Sequence, residues 1–212
     1  MNNPAGSLEG KTVFMPAALS ATGSVGAQMI KNVFGAEKLI ATVSTPKVPL
    51  VEQLLPGIVD RVVNYKTQDV VKEVGKGVAD FIYNTQWGIT GTFPIANPQS
   101  GVIVSIASIP RAATIKLVVG ADNVPFWMAW ALNLAQWWYD WKLRGTNVKR
   151  DFVSGNPSAR EDLEKVGEMI AMGKIKPVMT VVDFNDIDAV RRSCGQVAAG
   201  KGGLGRLVIK IA

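Results

Sequence analysis

Histidine is missing from this sequence, and cysteine occurs once, at Cys194. Together these absences remove the two preferred zinc ligands and exclude an intramolecular disulfide, so neither a zinc-dependent mechanism nor any metal site is expected. Cys194 follows the cations Arg191 and Arg192 in Arg191-Arg192-Ser193-Cys194. A nucleophilic role would also need an imidazole or amide partner, and a buried helical cysteine is the more ordinary expectation. The opening Met1-Asn2-Asn3-Pro4 has no basic leader followed by an apolar run, which argues against secretion and for a cytoplasmic protein. A net charge of +6 could suit a polyanion. The bases Lys142, Arg144, Lys149 and Arg150 are, however, interspersed with Asp140 and Asp151 and form no helical stripe, so a nucleic-acid partner is not expected. A small phosphorylated molecule is the better anion.

What the chain does contain is a large apolar fraction: 48% of its 212 residues are hydrophobic and 19% charged, enough to bury a substantial core. Lys11-Thr12-Val13-Phe14-Met15 feeds a small-residue loop and then a helical pattern through Gln28–Phe34. Further strand-like runs follow at 38–43, 61–65, 79–83 and 101–106, with helical or turn-rich stretches between most of them. Apolar strands alternating with crossovers predict a doubly wound, mostly parallel, Rossmann-type α/β sheet. The expected organisation is one domain over 1–212, with a core at 8–110, a Trp-rich helical insertion at 111–150 and a C-terminal segment at 151–212.

The insertion holds five of the six tryptophans, Trp127, Trp130, Trp137, Trp138 and Trp141. Asn133 and Gln136 interrupt its apolar run, Asp140 and Lys142 close it, and it falls short of the roughly 20 apolar residues of a membrane span, so no transmembrane segment is expected. Trp127, Trp130, Leu134, Trp137 and Trp141 recur at helical spacing, which reads as a core-facing stripe, an aromatic lid over an apolar substrate, or a subunit contact. As a lid, Trp127, Trp130 and Trp137 would line a substrate pocket with Trp87. In the C-terminal segment, Ala159, Leu163, Val166, Met169 and Ile170 mark an amphipathic helix that starts near Pro157 and Ser158 and stops at Gly173. The segment then reads strand at 177–182, helix from Asp186 through Val197, and strand at 206–211, with Asp183, Asp186 and Asp188 as the capped helix start.

A dinucleotide loop after the first strand would carry G-x-G-x-x-G. Here Ala18, Ser20 and Gly23 occupy the three positions, so only the third is glycine; the alternative reading is a small-residue turn that packs helix on strand and binds nothing. The helix start behind it still offers N–H groups and a positive dipole to an anion. The second strand closes as Ala41-Thr42-Val43-Ser44-Thr45-Pro46-Lys47, without the acid that pairs with a ribose 2′-hydroxyl. Hydroxyls and a cation suit a 2′-phosphate instead, so NADP(H) is favoured over NAD, with Tyr65 as a further phosphate contact or a plain surface residue.

Taken in order, Gly10-Lys11-Thr12-Val13-Phe14, Ala41-Thr42-Val43-Ser44-Thr45, Val63-Asn64-Tyr65, Val104-Ser105-Ile106 and Gly200-Lys201-Gly202-Gly203-Leu204-Gly205 resemble the quinone-oxidoreductase and trans-enoyl-reductase branch of the medium-chain dehydrogenase/reductase superfamily, especially its fungal members. The similarity runs from about Leu8 to the C-terminus. It implies NADPH contacts at Ser20, Ala21, Thr22, Gly23, Ser44, Thr45, Lys47 and Tyr65, with the nicotinamide past Asn84, Thr85 and Ser105. It also implies that the family's N-terminal GroES-like catalytic domain is absent from this chain and that the C-terminal strand-helix-strand is a remnant of it. A homodimer that rebuilds the missing wall is the resulting expectation. The catalytic residues are not legible; Tyr83, Ser108 and Tyr139 are candidates by location alone. Three functions stay open: an NADPH-dependent reductase of a small apolar enone, quinone or polyketide intermediate; a repurposed cyclase, isomerase or dehydratase of specialised metabolism; and a cofactor-free binding protein.

Overall fold

Strand β2 (Lys38–Val43) is buried at every residue after Lys38, the near-continuous apolar run that a parallel strand covered on both faces needs. In a computed structural model of the chain, which describes residues 6–153, 159–199 and 203–211, β2 pairs in parallel with β1 (Thr12–Met15) and β3 (Arg61–Asn64), Met15 lying opposite Ala41 and Asn64 opposite Val43. Likewise β4 (Phe81–Asn84) pairs with β5 (Val102–Ser105), placing Asn84 opposite Ser105, and β5 pairs with β6 (Lys149–Phe152). The six strands follow the order β3-β2-β1-β4-β5-β6. This is the doubly wound, mostly parallel Rossmann-type sheet with flanking helices. The expected starts at Met1–Pro4, Pro157 and Ser158, and the first residues of the terminal glycine run, Gly200, Lys201 and Gly202, lie outside the described residues.

The chain divides into two compact units, Met1–Val70 with Asn156–Ala212, and Val71–Gly155. In the first, α1 (Ala21–Gln28) follows β1 and runs into a π-helical turn at Met29–Val33, and α2 (Val48–Leu54) joins β2 to β3. The core of this unit is Val13, Met15, Leu19, Leu39 and Ala41, all fully buried. Its C-terminal part is α6 (Arg160–Ala171) and the unit β7 (Met179–Asp183), α7 (Ile187–Ala198), β8 (Arg206–Lys210), with β7 and β8 a separate parallel pair. Gln28 ties the connection before β7 to α1: its side-chain NH2 donates to the Lys176 carbonyl at 2.9 Å, and its carbonyl accepts from the Lys176 N–H at 2.7 Å.

The second unit contains β4, β5 and β6, the helices α4 (Ala112–Val119) and α5 (Phe126–Lys142), and a 3-10 stretch at Ile89–Ile95. The short helix α3 (Val70–Val74) stands at the division between the units. Ile82 and Ile103, fully buried, are its core on the two central strands.

Three expectations change. Residues 149–152 are a sixth sheet strand, where the sequence suggested the end of a helical insertion; Lys-Arg-Asp-Phe has no apolar run because β6 is an edge strand held mainly by backbone pairing with β5. The tryptophans of α5 do not face a core: its buried positions are Gln136 and Tyr139, and the stripe lies on the opposite side in solvent. Cys194 is exposed on α7 rather than buried. Of the aspartates read as the capped helix start, Asp186 caps α7 by accepting from the Ala189 N–H at 2.9 Å, whereas Asp183 ends β7 and accepts from the Asn185 N–H of the turn at 2.8 Å.

Candidate functional site

In the first unit, the turn between β1 and α1 is built by hydrogen bonds to β2. The Ala18 N–H donates to the Thr42 carbonyl at 3.2 Å and the Ala17 N–H to the Thr42 hydroxyl at 3.3 Å. To make the turn, Ala17 takes φ +57°, the left-handed region where a Cβ is penalised. The Ser20 N–H then donates to the Ala17 carbonyl at 3.0 Å, and Ser20 caps α1, its hydroxyl oxygen accepting from the Gly23 N–H at 3.0 Å. Gly23 packs so closely that a Cβ there would sit 2.1 Å from the Ala17 carbonyl oxygen. The third fingerprint position therefore needs glycine for helix-on-turn packing, the role assigned to it in dinucleotide folds.

Ser20 alters the anion site without closing it. A hydroxyl has one proton to give; with its lone pair taken by Gly23, that proton remains to donate outward. The N–H groups of Ala21 and Thr22, in the first turn of α1, have no acceptor within the helix. These three donors suit a pyrophosphate.

At the end of β2, Ser44 is half-buried and precedes the single 3-10 turn Thr45–Lys47 without a side-chain hydrogen bond to it. The Asn64 amide donates to the Thr45 hydroxyl at 3.0 Å. Lys47 donates to the Gly203 carbonyl at 3.0 Å, and burial lowers the pKa of its ammonium. Tyr65 is half-exposed, with the Lys66 ammonium 5.3 Å from its ring centre. Sequence reasoning missed Asn64, Lys66 and the Gly203–Gly205 loop as members of this site. The last is held across it by the Gly205 N–H donating to the Leu19 carbonyl at 3.0 Å. Gly205 has φ +59°, and a Cβ there would lie 1.8 Å from the Val178 carbonyl oxygen; the density of glycine in that run was the signal available.

In the second unit, Asn84 and Ser105 are buried side by side at the C-terminal ends of β4 and β5. The Asn84 amide donates to the Ser105 hydroxyl at 2.9 Å and to the Gln86 carbonyl at 2.8 Å, and the Ala107 N–H also donates to Ser105, at 3.2 Å. Thr85 is buried next to them. Tyr83 is half-buried on β4, and burial raises the pKa of its phenol. Ser108, in the loop after β5, is buried with no hydrogen-bond partner for its hydroxyl. Gln136 of α5 donates to the Ile109 carbonyl beside it at 2.7 Å. Tyr139 is a packing residue: its ring meets Phe93 edge-on with centres 6.0 Å apart, and the Arg150 guanidinium lies 4.9 Å from its ring centre.

The four tryptophans expected to line a pocket are all solvent-facing. Trp87 follows the Asn84-Thr85 corner and is 79% exposed, whereas Trp127, Trp130 and Trp137 share the outer arc of α5. They are on two different elements.

With this geometry in hand, the comparisons assign the class. Residues 59–201 match the family model of the zinc-binding dehydrogenase domain, and the chain belongs to that family, within the medium-chain dehydrogenase/reductase superfamily. Among solved structures, it is similar to the quinone oxidoreductase from Coxiella burnetii (17% identity, TM-score 0.64, covering 96% of this chain and 54% of that one). It is also similar to CurA from Vibrio vulnificus in complex with NADPH (18% identity, TM-score 0.62, covering 96% and 58%). A third is the 2-octenoyl-CoA carboxylase reductase CinF from a Streptomyces species (16% identity, TM-score 0.58, covering 95% and 40%). The chain spans about half the length of the first two. No curated protein matches it.

The donor set of this chain does not fit the metal in the family's name. It has no histidine, its one cysteine stands exposed on α7, and among the described residues no group of three or more histidine, cysteine, aspartate or glutamate side chains could hold an ion. The N–H donors, hydroxyls and lysine described above are instead groups of the kind that bind phosphates. No helix among the described residues is long and apolar enough to cross a membrane.

Proposed function

We propose that this chain, 1–212, acts as one nucleotide-binding domain of a zinc-independent, NADPH-dependent reductase of a small apolar enone, quinone or polyketide intermediate. The observation that carries the reading is the end of β2, where Ser44, Thr45 and Lys47 gather hydroxyls and a cation with no carboxylate in the Ser44–Lys47 turn. A ribose 2′-phosphate is a dianion; a carboxylate would repel it and Lys47 would pair with it. Ser20, Ala21 and Thr22 hold the pyrophosphate by donated hydrogen bonds, and Tyr65 adds a phenol at the phosphate end. By the resemblance, Asn84, Thr85 and Ser105 contact the nicotinamide. Bound NADPH supplies the hydride; the chain's part is to orient it and to keep a proton at hand.

Of the proton-donor candidates, Tyr83 is favoured. It is a phenol half-buried on β4 immediately before Asn84, and the burial that raises its pKa makes it a weaker acid than an exposed tyrosine. Ser108, a buried hydroxyl without a protein partner, suits a substrate contact. In this reading the protein is cytoplasmic and homodimeric, and the open edge of β6 is available for pairing a second copy. The exposed apolar side chains of α6 and β7, such as Leu163, Met179 and Val181, are then covered by a further domain.

A second reading, a non-redox enzyme of specialised metabolism, is favoured by one detail: Ser20 and Gly203 already engage Gly23 and Lys47, two of the groups a cofactor would use. Titration with NADPH, read by nicotinamide fluorescence, separates the two. Saturable micromolar binding supports the reductase, while no binding together with substrate conversion in cofactor-free buffer supports the alternative.

A further inference from the structure

Helix α5 carries a face that the nucleotide chemistry does not use. At 3.6 residues per turn, Phe126, Trp137, Trp130, Trp141, Leu134, Trp127 and Trp138 project within an arc of roughly 120°. Every one of them is exposed, Phe126 at 87%. The arc runs about 22 Å, from Phe126 to Trp141, and Leu117, Val118 and Val119 at the end of α4 are exposed as well. The opposite side of α5 is the packed one, through Gln136 and Tyr139. A contiguous apolar surface of this size calls for an occupant.

The charge around it says which. Residues 111–150 hold six Lys and Arg against two Asp, four of the chain's six net positive charges. Arg150 and Asp140 neutralise each other at 2.9 Å, and Lys149 belongs to the edge strand β6, which leaves Arg111, Lys116, Lys142 and Arg144, on α4 and α5 or at their ends, against Asp122 alone. The Lys142 ammonium lies over the arc's own edge, 5.2 Å from the Trp138 ring centre and 5.7 Å from that of Trp141. A two-fold contact with a second copy would bring this positive set against itself. Tryptophan at headgroup depth, flanked by cations, is instead the pattern of a helix lying in the plane of an anionic bilayer surface.

We propose that the α5 arc is a peripheral membrane-docking face, seated on anionic lipid with Lys116 and Lys142 at the headgroups. The inference is independent of whether the chain binds NADPH. Cosedimentation tests it, using the whole chain with vesicles of phosphatidylcholine alone and of phosphatidylcholine with phosphatidylserine at roughly 3:1. The expected result is binding to the anionic vesicles with a blue shift of tryptophan emission, weakened by salt. Binding should fall about tenfold or more in the double variant Trp130→Ser/Trp137→Ser and in Lys116→Glu/Lys142→Glu. Both variants change exposed side chains only, and an unchanged melting temperature certifies that they fold. Absence of binding to either vesicle overturns the proposal, as does equal, salt-independent binding to both. A dimer in sedimentation equilibrium that Trp130→Ser/Trp137→Ser dissolves, without vesicle binding, overturns it in favour of a second copy.

Discussion

Ala17 and Gly23 show how much one turn depends on single residues. Ala17 sits at φ +57°, so Ala17→Gly removes a steric penalty; it is expected to stabilise the fold by about 1 kcal/mol, raising the melting temperature by about 2–4 °C. Gly23→Ala places a methyl 2.1 Å from the Ala17 carbonyl oxygen and should lose more than about 3 kcal/mol, measured by urea denaturation. Asp60 sets part of the acid limit. Although burial opposes its charge, the Leu39 N–H at 2.6 Å and the Lys31 ammonium at 2.9 Å together hold its pKa below the ordinary value. A depressed folded pKa means the contribution is fully present above the unfolded value of about 3.9 and is lost as pH falls through the folded one. Asp60→Asn should therefore lower stability at neutral pH and flatten the acid side of a melting-temperature profile. The glycine at 23 was legible because a motif demands it; the serine at 20 was legible as a departure, but its cap on Gly23 was not, since a hydroxyl's partner depends on the turn's path.

Elements whose burial is two-sided were the ones the sequence displayed best. β2 and β5 read as apolar runs and stand within a residue of their expected bounds. β6 was invisible because an edge strand can be made of Lys, Arg and Asp, with the backbone doing the pairing. The periodicity of α5 was legible, and of the directions it left open the core-facing one is excluded, because Tyr139 and Gln136 take that place. The contrast is measurable. Tyr139→Ala should cost about 3–5 kcal/mol through the cavity left beside Phe93 and Arg150, whereas Trp130→Ser should stay within about 0.5 kcal/mol, both by denaturant titration.

At the scale of the whole molecule, the fold and its superfamily were readable because ordered motifs constrain topology across most of the chain. The reaction was not, because the chain covers only about half of these solved structures, and at under 20% identity they show the fold and not the chemistry. The proposed phosphate end has a predictable titration. Burial lowers the Lys47 pKa, so the protonated form that pairs with a 2′-phosphate is lost at a lower pH than for an ordinary lysine. NADPH affinity should weaken as pH rises through that lowered value, whereas NADH, without the phosphate, should show no such limb. The most direct test is therefore the melting temperature of the wild-type chain and of Lys47→Ala with NADPH and with NADH, since a ligand of the native state must raise it. The account predicts a larger rise with NADPH than with NADH in the wild type and the same small rise with both in Lys47→Ala. No rise with either at millimolar concentration, or equal rises in both proteins, would contradict it.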